Sequence, residues 1–139
     1  MRYGFTDDEW RMIERLVREI LVERVRPEVR PIPYSELTEV AVARLRDRPA
    51  LAEKTREILR PDSYALANML GEISTESCNG APDRGMLSVV VVHKDGDMRP
   101  GKGFFECAVT LGRLRSNASD EEKEALWIRE LDLVSRSYA

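Results

Sequence analysis

The sequence predicts an α+β fold, a mostly helical single domain with a winged-helix-like centre and a small antiparallel hairpin. Three observations predict it. Apolar residues recur at helical spacing through most of the 139 residues. One stretch, residues 86–93, instead carries four consecutive valines, Val89, Val90, Val91 and Val92. These crowd the backbone at χ1 and favour a buried strand. That stretch runs into turn chemistry, Asp95-Gly96 and then Pro100-Gly101 with Gly103, before the aromatic pair Phe104 and Phe105. A helical protein with one buried strand and a polar, glycine-rich arm has few architectures open to it, and a winged helix is the first.

The elements follow in order. Thr6-Asp7-Asp8-Glu9 reads as a capping box, and Trp10, Ile13, Val17, Ile20 and Leu21 give the following helix one apolar face to about Val25. Pro27, Pro31 and Pro33 break it and stiffen a connector. Ser35 is the candidate cap of a second helix through Leu37, Val40, Ala41 and Leu45. Pro49 suits the first turn of a third, ending near Leu59. Asp62 is expected to cap a fourth, whose stripe of Leu66, Met69, Leu70 and Ile73 fades at Cys78-Asn79-Gly80. After the strand and arm, residues 104–114 fit a return strand or a helix equally. Ser119-Asp120-Glu121-Glu122 makes a second capping box and opens a closing helix with Leu126 or Trp127, Leu131, Val134 and Tyr138 on one side. Residues 1–31 read as an N-terminal helix and connector, 32–114 as the core and 115–139 as the C-terminal helix.

Composition bounds the function. A net charge of -3 lacks the positive excess with which phosphate binders release counterions. Two cysteines, Cys78 and Cys107, and one histidine, His93, fall short of the four ligands of a structural zinc site. No metal and no cofactor are expected. The chain shows no targeting segment, and its longest apolar run is far below the roughly 20 residues that span a bilayer. Reduced thiols in a cytoplasmic protein are therefore expected, with no membrane contact.

The run Ile32-Pro33-Tyr34-Ser35-Glu36-Leu37 resembles the opening of the winged-helix domain of the DNA alkyltransferases and alkyltransferase-like proteins, which begin their helix-turn-helix with a Pro/Thr-Tyr-Gly-Glu-Leu run. The similarity continues in layout across residues 32–114. A helix with Gly71 near its end leads to a loop containing Asn79, and a hydrophobic strand then ends in His93-Lys94-Asp95-Gly96. The resemblance implies DNA contact. It also marks two departures. The family accepts alkyl groups on the Cys of a Pro-Cys-His-Arg motif, whereas Gly85-Met86-Leu87-Ser88-Val89 stands here without a cysteine. Residues 62–77, in the place of the family's reading helix, hold no Lys or Arg and include Asp62, Glu72 and Glu76, a balance that phosphates repel.

The chemistry-bearing residues gather around the arm. His93, Lys94, Arg99 and Lys102 are the candidate nucleic-acid contacts. Pro100-Gly101-Lys102-Gly103-Phe104 has the glycines and cation of an anion cradle without Walker spacing, and reads as a wing tip that needs freedom to turn. Tyr34, Ser35, Ser88, Gly101 and Gly103 are the candidate lining of a pocket beneath it. Arg11, Arg15 and Arg18 share a helix face with Glu14 and Glu19 and read as a salt-bridged surface. Arg24, Arg26 and Arg30 are less neutralised and open to joining the arm in one patch.

The expected function is a non-catalytic, nucleic-acid-associated or regulatory module contacting its target through residues 93–103. The first alternative is a protein-interaction module that has lost DNA reading. The second is a small enzyme using Ser88, His93 and Lys94, for which a hydroxyl nucleophile would need a base at its side.

Overall fold

The computed structural model describes residues 1–94 and 99–138; the expected Asp95-Gly96 turn lies outside the described residues. Helix α1 (Asp7–Val25) starts at the expected capping box, with Thr6 accepting from the Glu9 amide at 3.1 Å and Glu9 accepting from the Thr6 amide at 2.8 Å. The short strand β1 (Ile32–Pro33) leads into α2 (Tyr34–Ala43) and α3 (Pro49–Ile58). Then come α4 (Tyr64–Cys78), a 3₁₀ segment (Leu87–Val90), β2 (Val91–Val92), α5 (Lys102–Thr110) and α6 (Asp120–Ser137). The fold is mostly helical α+β.

Local chemistry sets most of the boundaries. Pro49 occupies the first turn of α3, where its missing N–H costs nothing. Asn79 adopts a left-handed conformation that ends α4. The Ser119/Glu122 capping box opens α6 as expected. Two caps differ from expectation. Helix α2 begins at Tyr34, so Ser35 lies inside its first turn and Pro33 precedes it without a side-chain cap. Ser63, rather than Asp62, caps α4, its hydroxyl accepting from the Leu66 amide at 3.1 Å. The ambiguous residues 104–114 resolve as helix α5 and the turn after it.

The antiparallel hairpin is corrected. Strand β2 pairs in parallel with β1, Ile32 opposite Val91 and Pro33 opposite Val92. Within the arm itself, the His93 N–H donates to the Arg99 carbonyl at 2.9 Å. Only Val91 and Val92 are strand, and Leu87, Ser88, Val89 and Val90 form the 3₁₀ turn. The physical reason is a set of competing acceptors. Met86 donates its amide to Glu130 Oε1 on α6 at 2.9 Å. Leu87 and Ser88 donate theirs to Ser77 Oγ and Ser74 Oγ on α4, each at 3.0 Å. Three successive amides are thus satisfied by side chains rather than by a sheet ladder, and a buried backbone donor needs one partner of either kind.

This segment is the centre of the core. Leu87 and the four valines are all buried, and at roughly 1.5–3 kcal/mol for each buried aliphatic side chain they anchor the helices around them. Helices α1, α4 and α6 all pack against the 3₁₀ turn, and one contiguous cluster runs from Phe5 to Val134. Gly85 lets α6 approach: a Cβ there would lie 2.6 Å from Val134 Cγ1 and 2.7 Å from its backbone nitrogen. At the far end of α1, Arg26 Nε donates to the Tyr138 carbonyl at 2.8 Å, tying the two terminal helices together.

Candidate functional site

The parallel β1–β2 pair delivers Tyr34 and His93 to adjacent places. Each follows its strand by one residue, and their rings meet with centroids 4.9 Å apart at a tilt of 41°. Gly101, at the far side of the arm, donates its amide to the Tyr34 hydroxyl at 2.9 Å. Only glycine fits there. A Cβ on residue 101 would stand 2.8 Å from His93 Nε2 and 2.9 Å from the Tyr34 oxygen. Burial pushes the Tyr34 phenol above its ordinary pKa, against the lowering effect of the Gly101 amide, so it stays a neutral hydroxyl at physiological pH.

Beside this junction lies a cavity of about 480 Å³, within the size range of small-molecule sites. Of the residues singled out from sequence, Tyr34, Ser88, His93, Gly101, Lys102 and Gly103 line it. Three do not. Ser35, on α2, and Lys94 are both exposed and outside the lining. Arg99 turns to α6, 3.6 Å from Glu124 and with its guanidinium 5.7 Å from the Trp127 ring centroid. The arm's cations are therefore divided between two faces.

Sequence reasoning missed the opposite wall, the start of α4, where Asp62, Ser63 and Tyr64 join the lining. Tyr64 is 87% exposed, a bare aromatic face at the mouth. The missed signal was Ser63, whose capping role places the α4 N-terminus here. Helix α5 also begins at the cavity, from Gly101. Neither helix has an acidic residue in its first turn, so both present amide donors and the positive end of the helix dipole. Carboxylates are present as well. Asp62 and Glu106 share the lining, and Lys102 Nζ sits 3.7 Å from Glu106 Oε1, an exposed pair worth little in water.

At the inner end, Ser88 and Ser74 hydroxyls stand 2.6 Å apart, and Ser74 also accepts the Ser88 amide. The hydrogen-bond partner of Ser88 is thus another hydroxyl, which cannot act as its base. A second cavity of about 600 Å³ continues along the α4–α5 groove past Gly71 and Gly103 to Tyr3, Glu72 and Glu76. Cys107 faces it, and Cys78 is buried at the end of α4; both are free thiols whose pKa burial pushes up. Thiols held in the protonated form are poor nucleophiles.

Five of the six other arginines singled out from the sequence bond elsewhere. Arg24 donates to the carbonyls of Arg30 and Pro31, and Arg30 to those of Glu23 and Arg26. With Arg26 held by Tyr138, this run bonds backbone carbonyls at the end of α1. Arg11 pairs with Asp8, and Arg18 with Glu14 and Glu76. No helix among the described residues is long and apolar enough to cross a membrane. No family model, no curated protein and no solved structure matches the chain.

Proposed function

We propose that this chain is a non-catalytic, nucleic-acid-associated module that meets its target at the mouth of the cavity between the N-termini of α4 and α5. The observation that carries the reading is the convergence there of Lys102, His93, two acid-free helix starts and the exposed ring of Tyr64. Helix N-termini and a lysine suit phosphate oxygens, and an exposed tyrosine suits stacking on a base, at about 1–3 kcal/mol per base. The reading retains the helical layout of the alkyltransferase resemblance without an antiparallel wing. The Ser88–Ser74 hydroxyl pair supports a binding role over hydrolytic chemistry.

One observation favours the protein-interaction alternative. Helix α4, which forms a wall of both cavities, contributes no Lys or Arg and carries Glu72 and Glu76 in the second. That half of the groove repels a phosphate backbone.

Titration of the full chain with fluorescent single- and double-stranded oligonucleotides at several salt concentrations tests the proposal. Binding should weaken with salt. Lys94→Ala and Lys102→Ala together should flatten the log-affinity against log-salt slope by about one unit per lost phosphate contact, while Tyr64→Ala should weaken binding without changing that slope. Arg99→Ala, facing α6, should leave the slope alone. No salt-dependent binding, or a slope unchanged in the double mutant, overturns the reading in favour of a protein partner.

A further inference from the structure

A second charged cluster, independent of the cavity at the arm, joins the N-terminal segment to α1 and α4. Residues Arg2 and Phe5 form a tight antiparallel bridge, each donating its amide to the other's carbonyl. The turn between them lays Tyr3 on Trp10, with ring centroids 5.8 Å apart, and places the Arg2 guanidinium 4.1 Å above the Trp10 ring. Beneath, one indole N–H serves two carboxyl groups. Trp10 Nε1 is 2.9 Å from Glu72 Oε1 and 3.1 Å from Glu14 Oε2.

The donors around these carboxyls are unequally shared. Glu72 takes both arms of Arg2, at 2.6 and 3.2 Å, and the shorter half of the indole bond. Glu14 is buried and receives the longer half, together with a stretched 3.4 Å contact from Arg18, whose guanidinium is held more closely by Glu76. A buried carboxylate so poorly supplied with donors is costly, and a neighbouring carboxylate raises that cost further. Other charges on α1 pair away from this cluster, Glu9 with Lys54, Arg11 with Asp8 and Glu23 with Arg44. On α2, Glu36 and Glu39 face Arg24 and Arg56, and the 3₁₀ segment brings only Leu87, Ser88, Val89 and Val90.

We infer that Glu14 and Glu72 hold a single proton between them, and that this proton latches the Arg2–Phe5 turn onto α1 and α4. With it in place, Glu14 donates to the Glu72 carboxylate and both groups are satisfied. Burial and then that hydrogen bond push the Glu14 carboxyl up to about 7, with the charges of Glu72 and Glu76 adding to the effect and Arg18 opposing it. Loss of the proton leaves two carboxylates competing for one indole N–H. The turn then loosens, and because Tyr3 walls the second cavity, the α4–α5 groove opens at that end. The device is a pH-gated wall of the groove.

The test uses the full chain. Carboxyl-carbon NMR of ¹³C-labelled protein should show one glutamate titrating near pH 7, returning toward the ordinary carboxylate range in Glu72→Gln. In a Trp127→Phe background, Trp10 emission should shift to the red with the same midpoint between pH 5 and 9. The shift should be about nine-tenths complete by pH 8, and absent in Glu14→Gln. Glu14 titrating in the ordinary range overturns the inference. So does a Trp10 signal that stays flat while Glu14 titrates, or one that disappears in His93→Gln instead.

Discussion

The Gly101 amide donates to the Tyr34 hydroxyl at 2.9 Å, closing the arm onto the first turn of α2 across 67 positions of sequence. The bond fixes the cavity's rim, because the same glycine leaves room for His93 against the Tyr34 ring. Tyr34→Phe should leave that partly buried amide without its partner and cost about 1–2 kcal/mol in urea unfolding. Gly101→Ala should cost about 1–3 kcal/mol through overpacking and should also separate the two rings, read as a change in the His93 ring-proton shifts. An unchanged His93 environment in Gly101→Ala would contradict the close packing.

The Arg113–Glu130 pair pins α6 to the centre. Glu130 is fully buried, its Oε1 accepting from Arg113 Nη1 at 2.7 Å and from the Met86 amide at 2.9 Å. Arg113 also donates to the Ala81 carbonyl at 2.9 Å. Arg113→Met should destabilise the chain by about 3–5 kcal/mol by leaving an unpaired buried carboxylate. Adding Glu130→Leu should recover part of that loss, less the cost of the orphaned Met86 amide. Chemical denaturation of both single mutants and the double mutant gives the coupling, and strict additivity would refute it.

Ser74→Ala removes the acceptor of the Ser88 amide and the partner of its hydroxyl at once. A loss of about 1–3 kcal/mol is expected. The 3₁₀ turn should fray first, seen as faster amide exchange at Ser88 and Val89 than in Ser77→Ala. Equal exchange in the two variants would show that the serines do not act on separate amides.

Stability should depend on pH from both sides. For Glu72, burial is outweighed by the Arg2, Glu14 and Trp10 hydrogen bonds, and its carboxyl is held down at about 2. A depressed pKa gives stability that is present above the ordinary 4.5 and lost as pH falls toward 2. Glu14, raised to about 7, acts the opposite way. Its contribution is complete below 4.5 and declines as pH rises through 7, because the folded state there binds the extra proton. The melting temperature should therefore fall between pH 5 and 8, and Glu14→Gln should flatten that fall. A wild-type curve that rises across this interval would disprove the assignment.

Five of the six helices among the described residues, and where several of them start and stop, are legible along the chain; α5 is not, because residues 104–114 fit strand or helix. Capping boxes at Thr6/Glu9 and Ser119/Glu122, Pro49 at a first turn and the Asn79 cap are chain-local, so spacing alone reveals them. Sequence also marked the arm and one side of its pocket, because Tyr34, Ser88, Gly101 and Gly103 stand out by type. It misjudged what the valines would do. Their burial is a property of the residues, but their backbone geometry was decided by Ser74, Ser77 and Glu130, acceptors 10 to 44 positions away that no local pattern connects to residues 86–88. The same holds for β1. Two residues of strand carry no periodicity, and parallel pairing with β2 arises only once α2, α3 and α4 have brought the chain back. Tertiary packing likewise turned Arg99 to α6 and placed Ser63 and Tyr64 opposite Lys102. Local bonding and hydrophobic spacing are written along the chain; which distant acceptor meets which buried donor is settled only when the helices pack.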